Sequence, residues 1–217
     1  RDGELFLWNP ATGEAITRFR EPGYPNRPRI AALAISPDGE RVLDQLEFSG
    51  SRWFSAWNIS SRDDEGYRRR EPPQTFPCAR PLLRRGAGGT LIPDGAQVSR
   101  LEVVGGSLSV TPFGGTETGT GSVTALAVDS SESRYAVAKG LELRLLESAG
   151  ATPSRVVARS TSQIIDLDIS PDGRRLLVVE SASGARILNV ESGEVLTALP
   201  HEASLARAWF DPRGLLV

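Results

Sequence analysis

Sulfur, histidine and lysine are nearly missing from this chain. A single cysteine, Cys78, excludes a disulfide within the 217 residues and fits a reducing compartment. Methionine is absent and the first residue is Arg1, which predicts a piece of a longer protein. With one histidine, His201, every imidazole-dependent mechanism must pass through that residue. Of the 25 basic residues only Lys139 is a lysine; we read this as a bias of composition before reading it as a phosphate site. No apolar run approaches the roughly 18 residues of a membrane span, and no signal peptide is visible. The formal net charge of −2 argues against a nucleic-acid surface built on bulk positive charge. The expectation is a cytoplasmic protein with no membrane and no nucleic-acid partner. No window shows a helical stripe with caps.

What the chain does have is one turn written repeatedly. "ISPDGERVL" at 35–43 returns as "ISPDGRRLL" at 169–177, and "FDPRGLLV" occupies 210–217. Proline presets one turn dihedral, and Asp and Gly suit the tight geometry that follows. Extended over the preceding apolar strand, the copies are "IAALAISPDG" (30–39), "VTALAVDSSES" (123–133), "IIDLDISPDG" (164–173) and "LARAWFDPRG" (205–214). Ser36, Asp129, Ser170 and Asp211 take the same place. Asp129 to Ser170 is 41 residues, and so is Ser170 to Asp211. Ser36 to Asp129 is 93, room for two units and an insertion. "LIPDG" at 91–95, with Ile92 at the serine place, is the candidate for the missing turn.

A second pattern follows each turn: "GELFLWNPATGEAITRF" (3–19), "SRWFSAWNI" (51–59), "GSLSVTPFGG" (106–115), "LELRLLESAGATPSRVV" (141–157) and "GARILNVESGEVLTAL" (184–199). Leu141, Leu143 and Leu145 alternate with Glu142 and Arg144, the period of a half-buried strand. The unit is thus four short strands in about 41 to 46 residues, the length and strand count of a β-propeller blade. One blade cannot bury both faces, and stacking blades solves that. The reading is an all-β β-propeller, with about five four-stranded blades visible, as part of a larger propeller. Approximate blades are 29–77, 78–121, 122–160 and 161–200, with 1–20 and 201–217 as a split blade or two partial ones.

On these residues the chain resembles the WD-repeat family, in its divergent bacterial type, over nearly its whole length. "LWN" at 7–9 and "AWN" at 56–58 match the family's Trp-Asp ending with Asn for Asp, and "ILN" at 187–189 keeps only the Asn. The resemblance implies a hydrogen-bond network within a blade. His201, four residues before Leu205, matches the family histidine, and Asp2, six before Trp8, matches its Asp and Trp. The Ser/Thr member has no counterpart. Either the termini complete one closing blade, or the chain is a window cut from a longer propeller.

As a structural histidine, His201 leaves no catalytic triad. His201 and Cys78 lie 123 positions apart and make no metal cluster, and no EF-hand loop appears. No cofactor and no metal are expected. "FGGTETGTGS" (113–122) and "RRGAGG" (84–89) are glycine-rich, yet lack the Gly-Lys-Ser/Thr ending of a phosphate loop. The ruler slips at 60–90, where the insertion 60–77 carries Tyr67, Arg68, Arg69, Arg70 and Phe76, residue types enriched at interfaces. They are the candidate partner contacts. A proline-rich loop at 20–28 is a lesser candidate. The expectation is a non-catalytic protein–protein interaction scaffold or sensor, appended to signalling or effector domains, recognising another protein or another domain of its own chain. The alternatives are a propeller enzyme of the lactonase or lyase kind and a purely structural subunit.

Overall fold

The computed structural model describes residues 4–20, 29–36, 39–48, 51–59, 74–75, 84–85, 89–104, 107–114, 121–148, 154–201, 205, 207–211 and 213–215. The regular elements there are strands, in five small antiparallel sheets. The first sheet pairs β1 (Glu4–Trp8) with β2 (Ala15–Arg20). The second runs β3 (Arg29–Ile35), β4 (Arg41–Phe48), β5 (Ser51–Asn58), β6 (Gln74–Thr75). The third runs β7 (Arg84–Arg85), β8 (Thr90–Asp94), β9 (Gln97–Val104), β10 (Ser107–Pro112). The fourth is β11 (Ala125–Val128), β12 (Arg134–Lys139), β13 (Glu142–Glu147), β14 (Arg155–Arg159). The fifth is β15 (Ile164–Ile169), β16 (Arg175–Glu180), β17 (Gly184–Asn189), β18 (Val195–Leu199). This is consistent with a β-propeller-like fold. No helix among the described residues is long and apolar enough to cross a membrane.

The chain divides into two compact units. One holds residues 1–77 and 102–109, the other 78–101 and 110–217. In the second unit the second strands lie between two cores. β12 sends Ala136 and Ala138 into one and Tyr135 and Val137 into the other. β16 divides likewise, Leu176 and Val178 to one side, Leu177 and Val179 to the other. A strand covered on both faces is apolar at successive positions, hence "YAVA" and "LLVV" where simple alternation would put polar residues. Each Leu or Val sealed this way contributes about 1.5–3 kcal/mol. The fourth strands β14 and β18 are mostly exposed and revert to mixed composition. In the first unit Leu5 and Leu7 of β1 pack on Val42, Trp57, Ile30 and Ile59.

The repeated turn is a repeated set of bonds. Ser36 N–H donates to the Arg41 carbonyl, and Arg41 N–H returns a bond to Ser36 Oγ, both at 2.9 Å. Ser170 and Arg175 do the same, at 2.9 Å each. Asp129 substitutes a carboxylate oxygen, accepting from Arg134 N–H at 3.3 Å, and Asp211 accepts from Leu215 N–H at 2.7 Å. Three residues on, Gly39, Gly173 and Gly214 have φ of 74°, 68° and 80°, where a side chain is disfavoured. Glu132 takes that place at φ 54°. Its carboxylate pairs with Arg100 Nη2 at 2.6 Å, an ion pair that helps offset the strain.

"LIPDG" is not the missing copy of this turn. Ile92 lies inside β8 opposite Ser99, and the reversal is Gly95-Ala96, enclosed by Asp94 and Gln97. It matches Gly140-Leu141, enclosed by Lys139 and Glu142 between the second and third strands of the next sheet. The carbonyls of Gly95 and Gly140 even receive equivalent donors, Val123 N–H at 2.9 Å and Ile164 N–H at 3.2 Å. Pro-Asp-Gly serves any tight reversal, so the tripeptide did not reveal which one. The corresponding first turn lies between β7 and β8, where residues 86–88 are outside the described residues.

Candidate functional site

Of the residues singled out in the sequence, His201 is exposed, and Trp8 is exposed to 55%, its ring 6.3 Å from that of Phe6. Asp2, Tyr67, Arg68, Arg69, Arg70 and Phe76 lie outside the described residues, as do Cys78 and the 20–28 loop beyond Arg20. Among the described residues no three His, Cys, Asp or Glu side chains form a group that could hold a metal ion. Residues 115–120 of the glycine-rich stretch are outside the described set. Gly114 just before them has a packing role: a Cβ there would run into the Tyr135 side chain.

The polar side chains form ties that were not foreseen. In the first unit Trp57 Nε1–H donates to Asp44 Oδ2 at 2.9 Å, with both residues buried. Asp44 sits in the middle of an apolar strand, "RVLDQLEF". The interruption of that strand by a polar pair was the available signal. Its neighbour Gln45 is fully buried, and among the described residues neither side-chain amide atom has a hydrogen-bond partner. A buried orphan amide costs on the order of 1–3 kcal/mol. Gln45→Met keeps the length of the side chain and removes both polar atoms. We expect it to stabilise the first unit by about 1–2 kcal/mol, read as a higher urea midpoint at unchanged slope; an unchanged or lower midpoint refutes this.

In the second unit the ties run from one sheet to the next. Ser160, in the link after β14, donates its hydroxyl to Glu180 at the end of β16. Arg186 Nη2 of β17 donates to Glu180 Oε1 at 2.6 Å and to Ser160 Oγ at 2.8 Å. Glu180 and Ser160 are buried. Asp168 Oδ2 of β15 accepts the Phe210 N–H at 2.8 Å. Arg134 Nη2 donates to the Gly173 carbonyl at 3.2 Å, and Arg175 Nη2 to the Gly214 carbonyl at 3.1 Å. Both contacts span 39 residues, so one sheet grips the turn of the next at matching positions.

Electrostatic perturbation follows the same local bonds. The Ser170 hydroxyl, then the Arg174 N–H, hold the Asp172 carboxyl below the usual carboxylate range. The hydrogen bond from Arg144 chiefly does the same for Glu142, helped by the charge of Arg159. Both groups belong to turns and strand surfaces, and neither is set against a nucleophile.

Leu33 and Ile35 of β3 are 49% and 44% exposed, and Trp209 is 50% exposed.

No protein-family model and no curated protein matches the chain. Solved structures do. One similar structure is that of a Bacteroides uniformis protein provisionally assigned as a 6-phosphogluconolactonase, with a TM-score of 0.67 and 16% identity over 96% of this chain and 68% of that one. At that identity the likeness is one of fold.

Proposed function

We propose that the chain is a non-catalytic protein-interaction scaffold of the WD-type propeller kind, cytoplasmic, and joined to or recruited by signalling or effector domains. The observation that carries this reading is the fate of the polar groups. Carboxylates and hydroxyls of the described residues are bonded within the fold: Asp44 to Trp57 inside one sheet, and Asp129, Ser160, Asp168, Ser170, Glu180 and Asp211 in turns and sheet-to-sheet ties. Large apolar side chains stand among the exposed ones, including Trp8, Leu33, Ile35 and Trp209. Such a surface suits recognition better than chemistry. Loops on a rigid frame then supply specificity, with Tyr67, Arg68, Arg69, Arg70 and Phe76 as the proposed contacts.

The test is affinity capture with the full chain and with a version lacking residues 60–77. The deletion also removes β6 and its pairing with β5, so it is expected to lose the partner with some loss of thermal stability; replacing Tyr67, Arg68, Arg69, Arg70 and Phe76 by serine keeps β6 and is expected to lose the partner at unchanged thermal stability. Equal recovery would remove the insertion from the contact surface. A partner that co-purifies stoichiometrically under every condition would favour the structural-subunit alternative.

One observation favours a second reading. The Bacteroides uniformis protein carries a lactonase assignment, which makes hydrolysis of 6-phosphogluconolactone the assay to run. The scaffold reading expects no rate above buffer.

A further inference from the structure

Successive sheets of the second unit are not all joined alike. Where the fourth sheet meets the fifth, Arg134 at the start of β12 donates to the carbonyl of the turn glycine Gly173. Arg175 at the start of β16 reaches Gly214 in the same way. Beside the first of these ties, Arg155 donates to the carbonyls of Glu191 and Val190 at 2.8 and 3.2 Å.

The third sheet lacks the parts for this joint. Its β8–β9 turn matches the β12–β13 turn, so positions can be counted outward from both. Five residues before Lys139 stands Arg134, but five before Asp94 stands Gly89, which has no side chain to reach forward. Three residues after Glu142 stands Leu145, buried between the fourth and fifth sheets. Three after Gln97 stands Arg100 instead. The receiving turn differs too. Gly173 and Gly214 have φ of 68° and 80°, while Glu132 holds their place in the fourth sheet at φ 54°. It is the one non-glycine residue with positive φ among those described, in a region that a Cβ disfavours.

These three departures meet at one joint. The guanidinium comes from the third strand and not the second, and its acceptor is a carboxylate and not a backbone carbonyl. Arg100 Nη2 and Glu132 Oε2 are 2.6 Å apart, with side chains 22% and 11% exposed. The guanidinium also lies 4.9 Å from the centre of the Phe113 ring. Beneath the pair, Leu91, Val98 and Phe113 pack on Val123, Leu126 and Tyr135.

We propose that the Arg100–Glu132 pair is a latch, and that the third and fourth sheets part here locally while the fourth and fifth stay joined. The backbone at Glu132 is held in its strained conformation by the pair. When the pair breaks, Glu132 leaves the left-handed region, and the released strain offsets part of the cost of opening. A joint closed on a glycine carbonyl stores no such strain and gains nothing by parting. Opening uncovers the apolar side chains beneath, so the latch governs when that surface is presented.

The two joints carry matched reporters. Val123 N–H donates to the Gly95 carbonyl across the third and fourth sheets, as Ile164 N–H does to that of Gly140 across the fourth and fifth. Amide exchange of the intact chain, followed by NMR, reads the opening of each. The protection factor of Val123 is expected to be about tenfold or more below that of Ile164. It should also vary little with subdenaturing urea, because a local opening exposes little surface. Arg100→Glu places like charges together and should lower the protection of Val123 about tenfold further. Glu132→Arg added to it restores an opposite pair and should bring Val123 back to within about threefold of the parent. Glu132→Gln, which keeps the turn and removes the charge, gives the same reading in milder form if Arg100→Glu does not fold. Equal protection of Val123 and Ile164 in the parent overturns the proposal. So does a Val123 protection that ignores the loss of the pair, or one that the exchanged charges fail to restore.

Discussion

Glu180→Ala is expected to destabilise the second unit by about 3 kcal/mol, because it removes one member of a buried ion pair and leaves the other. The Glu180 side chain is 3% exposed and that of Arg186 23%. Without the carboxylate, the guanidinium keeps Ser160 and loses its charge partner, while Arg186 Nε is already buried without a hydrogen-bond partner. Because Arg186 reaches water in part, the cost belongs at the lower end for buried pairs. Removing both charges together, as Glu180→Leu with Arg186→Leu, should cost less than Glu180→Ala alone, since no orphan charge remains. Urea unfolding of the single and double variants measures both quantities. A loss below about 1 kcal/mol for Glu180→Ala would mean the pair behaves as an ordinary surface bridge.

In the first unit the largest single effect falls on Trp57. Its ring is 3% exposed and packs with Leu5, Leu7, Val42, Ile30 and Ile59. Trp57→Ala is expected to cost about 3–5 kcal/mol through lost burial and the cavity left behind. Trp57→Phe separates the parts: it keeps most of the apolar ring and loses the bond to Asp44, for about 1–2 kcal/mol. If Phe and Ala cost the same, the hydrogen bond is the main contribution and the core packs less tightly than the burial implies. Equilibrium unfolding followed by circular dichroism compares the two.

The period of this fold was legible because its ruler is local. Ser36, Asp129, Ser170 and Asp211 bond within five residues of themselves, so spacing and residue type alone could place them. "LIPDG" shows the limit of that method, since the same tripeptide also closes the turn between second and third strands. The ties were not legible. Trp57 finds Asp44 13 positions away and Glu180 finds Ser160 20 away, and neither pairing recurs at the 41-residue period. Only the sheet register brings them together. Exposure was illegible for a different reason: Leu33 and Leu167 read alike in sequence, and only their covering strands differ.

The grip of Arg134 on Gly173 and of Arg175 on Gly214 makes each joint interchangeable with the next. Every junction that uses it offers the same hook and the same eye, a guanidinium at the start of a second strand and the carbonyl of a turn glycine. Their specification is contained in one period of sequence. A gene can therefore lengthen or shorten such a protein by whole periods, and the new seam would close with parts the neighbouring repeats already carry.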